Sequence, residues 1–355
     1  MFSINSTNSC KGLSLLLLLW HHLFYQHPDF GHIVYRTALL SNVCIALFVI
    51  LSGYGFSESI KQKTIGLFEF YKRRLSVIYS NYWFIALIFV PVGIVFMNRA
   101  IQDVFTDHAY AKFIIQMIGL HRFAYPEYGY NITWWYMSVI IPLIILFPFI
   151  YDLTQKYGVF ILSMLLIIVI PDKASIPVIT TWLLPFALGI YFSQRNYITT
   201  ISRHLSSYKL WRFPMLIIAI MFLAAFRTYS PLLNGNKIDW LFGGLIILFI
   251  YELTISFKLV EILLSFLGKH LFNIFLFHTF IYYYYWEAFI YSFKYPVLIF
   301  LVLLSICIVL SIMIEFLKKY IHFYELVKKF QKLKVPVTIE IAFQGVPADS
   351  HISLR

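Results

Sequence analysis

Two adjacent histidines interrupt the first long apolar stretch of the chain, in Trp20-His21-His22-Leu23-Phe24-Tyr25. A neutral imidazole is the usual group for drawing a proton from a weakly acidic hydroxyl near neutral pH. Lys11 stands eleven residues before His22. On a helix that separation is three turns plus about 20°, with about 16 Å of rise, so ammonium and imidazole share one face at different depths. The pair suits a long ligand with an anionic head. His22 equally fits a packing histidine bonded to a neighbouring helix, and spacing alone leaves both readings open.

Three further groups have chemistry to offer. Lys72-Arg73-Arg74 could bind phosphate or serve as a positively charged anchor at a membrane surface. His278, Tyr282 and Tyr285 recur at i, i+4 and i+7, a spacing that lines one helix face with polar aromatics. An interfacial tyrosine belt explains Tyr282 to Tyr285 as well, but explains His278 less well. Ser52, Gly53 and Gly55 place small groups where two helices could approach closely. Glu252 and Glu287 are carboxylates near the ends of apolar runs, where snorkelling accounts for them. Cys10, Cys44 and Cys307 are too scattered for a disulfide framework or a C-x-x-C metal site.

The elements that must carry these groups follow from composition. The 355 residues are 61% hydrophobic and only 12% charged, about half the charge that a soluble surface needs. Apolar blocks of about 16 to 22 residues match the length that crosses a hydrocarbon core of roughly 30 Å. The expectation is an all-α, polytopic transmembrane helical bundle with about ten spans: 11–27, 37–58, 76–97, 132–152, 157–171, 177–194, 211–228, 238–257, 270–291 and 295–317. The first lacks a small-x-small cleavage site and is read as retained. Of the 28 Lys and Arg, 20 fall on the side of the N-terminus, so both termini are expected in the cytoplasm. The net charge of +12 belongs to short loops and not to one soluble face, which argues against nucleic acid as a partner. The chain divides into a membrane domain, 1–317, and a basic cytoplasmic tail, 318–355.

Five segments, in order, resemble the type-3 integral-membrane acyltransferase family. Lys11-Gly12-Leu13-Ser14, five leucines and Trp20-His21-His22 are similar to its first span, with Lys11 in place of the usual arginine. Phe48-Val49-Ile50-Leu51-Ser52-Gly53-Tyr54 is similar to F-V-x-L-S-G-[FY]. Phe70-Tyr71-Lys72-Arg73-Arg74-Leu75-Ser76-Val77-Ile78-Tyr79-Ser80-Asn81-Tyr82-Trp83 resembles F-x-x-R-R-L-x-R-I-Y-P-x-Y-W, with Val77 for an arginine and Ser80 for the proline. Thr133-Trp134-Trp135-Tyr136-Met137-Ser138 looks like the start of the family's fourth span. The segment from Leu267-Gly268 to His278 is similar to L-G-x-x-S-x-x-I-Y-L-x-H, with Leu271 for the serine.

The resemblance implies an O-acetyltransferase of the inner (cytoplasmic) membrane, moving an acetyl group from acetyl-CoA, as co-substrate and without a metal, to a sugar hydroxyl. The acceptor partner would be a surface polysaccharide or its lipid-linked precursor, and membrane lipid the surroundings. His22 would be catalytic. Lys11, Arg73 and Arg74 would hold the donor's phosphates; by their own side-chain chemistry, hydroxyls and ring faces beside an imidazole, Tyr282, Tyr285 and His278 are expected to hold the sugar acceptor. A glycan or solute transporter without acyl chemistry is the alternative; it would have no need of the cation set. A purely structural scaffold leaves the histidines unexplained.

Overall fold

The computed structural model describes residues 2–61, 66–125, 128–169, 178–229 and 235–333, with no β-strand among them. Helix α1 (Ile4–Phe24) opens on an N-cap in which the Ser3 hydroxyl oxygen accepts the Ser6 N–H at 3.0 Å. That bond satisfies one of the amides a first turn leaves free. Then come α2 (His32–Ser41), α3 (Cys44–Lys61) and the long α4 (Leu67–Phe96). Short helices α5 (Ile101–Val104), α6 (Ala109–Ile118) and α7 (His121–Ala124) lead to α8 (Met137–Tyr157), α9 (Val159–Val169) and α10 (Val178–Gln194). After α11 (Tyr197–Leu205) follow α12 (Arg212–Tyr229), α13 (Asp239–Ser256) and α14 (Lys258–Thr279). The last are α15 (Glu287–Tyr291), α16 (Pro296–Tyr320) and α17 (Phe323–Lys332).

Seven helices among the described residues are long and apolar enough to cross a membrane, so the chain is an all-α, multi-pass membrane protein. They correspond to seven of the ten expected spans. The segments expected at 11–27, 157–171 and 177–194 form α1, α9 and α10 and stand outside the seven. Helix α1 begins on the polar turn Asn5-Ser6-Thr7-Asn8-Ser9, and α9 and α10 are 11 and 17 residues long. Residues 170–177, between them, lie outside the described residues. The largest boundary correction concerns 270–291: α14 already starts at Lys258, so Gly268-Lys269-His270 sits in mid-helix. Lys258 and Glu261 form an i,i+3 ion pair, which makes a charged turn compatible with a continuing helix.

Two pairs of parallel helices set the core. Apolar side chains gain nothing by leaving lipid for one another, so membrane helices associate where small residues let backbones touch. Helices α1 and α14 do this through Gly12 and Gly268. A Cβ at Gly12 would lie 2.0 Å from the Leu264 carbonyl oxygen, and one at Gly268 would lie 1.9 Å from that of Asn8. Helices α3 and α10 repeat the device: added Cβ atoms would fall 2.3 Å from Phe186 O at Gly53 and 2.0 Å from Ile50 O at Gly189.

Several charged groups inside the bundle find partners. Lys318, placed by the sequence at the start of the basic tail, is fully buried. Its Nζ donates to Asn81 Oδ1 at 2.6 Å, Asn273 Oδ1 at 2.7 Å and Glu315 Oε1 at 2.9 Å, joining α4, α14 and α16. Arg227 and Asp239 form a buried pair at 2.5 Å between α12 and α13, and Glu252 pairs with Arg212 at 3.3 Å. Beyond α16 the chain stays on the fold: α17 lies along α4, with Phe323 against Phe84 and Gln331 Nε2 donating to Ser76 Oγ at 2.8 Å.

Replacing Gly268 by alanine should lower the detergent melting temperature by several degrees, since overpacking against an immovable backbone costs at least about 1–3 kcal/mol. Gly55→Ala is the control, because a Cβ there meets nothing within 4 Å. Unchanged melting of Gly268→Ala would show that α1 and α14 are not in this register.

Candidate active site

The register of α1 against α14 places the candidate site residues at two levels. At the first level, α1, α3, α4, α8 and α14 enclose a cavity of about 410 Å³. Lys11, Arg73, Arg74 and Lys269 line it, and none of its lining residues is acidic. Arg73 donates from Nε to Glu69 Oε1 at 2.6 Å, on the preceding turn of α4. The Arg74 guanidinium lies 4.8 Å over the Phe56 ring and 5.9 Å from that of Phe70. Aromatic faces hold a guanidinium in place while leaving its in-plane N–H donors free for an anion. Four cations line the cavity, Arg73 being paired with Glu69 outside the lining, an arrangement that can receive a multiply charged anion.

The deep end of this cavity is apolar. Phe48 and Tyr136 meet Phe275 edge-on, with ring centroids 5.8 and 5.2 Å apart. One turn further along α14 lies His278, its ring 6.4 Å from that of Phe275. His278 faces His22 of α1 with ring centroids at 5.0 Å. Tyr282 stacks on His278 at 6.0 Å and lies 6.4 Å from His22. His21, by contrast, turns to α2, where its Nδ1 lies 2.8 Å from the Ala38 carbonyl oxygen. Only one of the adjacent histidines therefore faces α14.

The aromatic stripe expected through Tyr285 is interrupted. Residues Phe280–Tyr285 form a π-helix, whose wider turn carries later side chains off the face that a 3.6-residue period predicts. The Tyr285 hydroxyl donates to Phe89 O at 2.5 Å on α4, and its ring packs on Phe280, away from the histidine pair. At the same transition the Phe280 N–H is directed to the carbonyls of Phe277 and His278. The Leu276 carbonyl then accepts from the Trp134 indole N–H at 2.9 Å.

Trp134 belongs to a buried frame that sequence reasoning missed. Asn131 Oδ1 accepts from the Thr133 N–H at 2.9 Å, the Thr133 hydroxyl at 2.7 Å and the Thr279 hydroxyl at 2.9 Å, tying the start of α8 to α14. On α4, Tyr79, Tyr82 and Trp83 donate to the carbonyls of Ile118, Gln116 and Met117 at the end of α6, where the Gln116 carbonyl also accepts the Gly119 N–H. The sequence signal was present: three aromatic donors lie within five residues of α4. Lys269 was also overlooked as a cavity cation, because the helix was expected to begin beside it. Of the expected residues, Lys11, Arg73 and Arg74 come together in one cavity, and His22, His278 and Tyr282 in one cluster.

A family model described as an acyltransferase domain matches residues 4–316, which takes in the cavity, the histidine pair and every helix from α1 to the greater part of α16. No curated protein and no solved structure matches the chain.

If the basic cavity is the anion site, Arg74→Gln should weaken binding of ADP to the detergent-purified protein about tenfold, the scale of one charge-assisted contact. Arg36→Gln, an exposed cation outside the cavity lining, should leave it unchanged. Equal effects of the two substitutions in calorimetric titration would locate the anion elsewhere.

Proposed function

The chain belongs to the type-3 acyltransferase family, and on that premise we propose that it is an O-acetyltransferase of the cell membrane. Its donor is cytoplasmic acetyl-CoA, and its acceptor is a sugar hydroxyl of a surface polysaccharide or a lipid-linked precursor. The observation that carries this reading is the succession, along one helix pair, of a cation-lined cavity, an aromatic floor and a pair of facing histidines.

Lys11, Arg73 and Arg74 neutralise the donor's phosphates, with Lys269 beside them. Arginine suits this task because its planar fork binds phosphate oxygens in pairs. The extended pantetheine arm then spans the roughly 16 Å of helix rise between Lys11 and His22. His22 takes the proton of the attacking hydroxyl as the new C–O bond forms. The C–S bond breaks, and the departing thiolate recovers that proton. Tyr282 offers the sugar a hydroxyl and an aromatic face at the same level. A transporter without chemistry has no use for the cation set.

Purified protein with labelled acetyl-CoA and glycan, followed by NMR of the product, tests the reading. His22→Ala should lower turnover by about 10²–10⁴-fold, the contribution of a positioned base, at near-normal membrane level. Arg73→Ala should raise KM for acetyl-CoA and leave the acceptor's unchanged, after a topology reporter has shown the same orientation. Retained turnover in well-folded His22→Ala would remove the base assignment.

A further inference from the structure

His278 is the least exposed polar group of the cluster, with no accessible surface. Its Nδ1 lies 2.9 Å from the Ile274 carbonyl oxygen and 3.1 Å from that of Phe275. Carbonyl oxygens only accept, so the imidazole hydrogen resides on Nδ1 and Nε2 carries a lone pair. That Nε2 is buried without a hydrogen-bond partner, and so is Nδ1 of His22. A buried, unpaired polar atom is expensive, and two of them on facing rings call for a common explanation. One is an acceptor by necessity; the other can be a donor.

We infer that His278 is the positioning partner of His22, its Nε2 accepting the Nδ1–H of His22 when the site closes on its substrates. Catalytic hydrogen bonds are commonly long in a ligand-free protein and tighten in the complex. The bond holds His22 in the tautomer whose Nε2 is free to act as the base. When Nε2 takes the hydroxyl proton, the positive charge is shared with His278, whose own N–H rests on two carbonyl dipoles. The thiolate leaving as the C–S bond breaks then receives the proton from His22 Nε2, so the pair ends with the hydrogens it began with. A carboxylate does this work in a serine-hydrolase triad. A second neutral imidazole does it without burying a fixed negative charge among membrane helices.

This role rests on the acyl-transfer reading, and it differs from acceptor contact, the role suggested by the position of His278 in the sequence. The test has one readout that needs no turnover. In ¹⁵N-histidine NMR of the full-length protein with a non-reactive donor analogue, His22 should appear as the Nδ1–H tautomer, and His278→Phe should abolish that preference. In steady-state kinetics His278→Phe should lower kcat about 10²–10³-fold with both KM values unchanged, the pattern of a group acting at the transition state. His278→Gln, whose amide oxygen can accept the same bond, should recover part of the loss and also serves if the phenylalanine variant does not fold. An Nε2–H tautomer at His22, or a loss confined to the acceptor's KM, overturns the inference. If the wild type consumes no acetyl-CoA, the acyl-transfer reading falls, and the NMR result still decides the pairing.

Discussion

The contact between Gly12 and Gly268 is the constraint on which the site depends. It sets α1 and α14 side by side with backbones touching, and from there the shared helical period does the rest. With the register fixed at this crossing, His22 meets His278 and the cations at Lys11 and Lys269 flank one cavity. Neither glycine contributes a functional atom. Each is required because any side chain would push the helices apart and separate the groups that this register brings together.

Around this pair the fold solves a second problem, that of irregular or charged groups in surroundings without water. The answer is pairing by neighbouring helices: aromatic donors of α4 on the end of α6, Trp134 on the carbonyl at the α-to-π transition, Lys318 among two asparagines and a glutamate. Each arrangement joins elements far apart in sequence. Satisfying a polar group and fixing a helix position are therefore the same act, and α14 is tied to its neighbours through Leu276, Thr279 and Asn273.

How much of this could be read in the sequence follows from the physics of each feature. Long apolar runs are written locally, so the helical membrane fold and seven of its spans were legible. The grouping of Lys11 with Arg73 and Arg74, and the use of His22 and not His21 on the α14 side, came from motif resemblance together with helical spacing. The start of α14 was misplaced because Lys258, Glu261 and Lys269 look like a break, whereas an ion pair and a cavity accommodate them within one helix. Tyr285 left its expected face because a π turn has no local sequence mark as plain as proline's. The burial of Lys318 was hidden too, since its three partners lie on α4, α14 and its own helix.

Phe48, Tyr136 and Phe275 stand between a cation-lined chamber and a pair of imidazoles at mid-bundle. A protein with polar groups at two levels of one membrane risks becoming a conduit for ions. Three rings packed on one another in that position offer hydrated ions a poor path, a form of electrical insulation between the two levels.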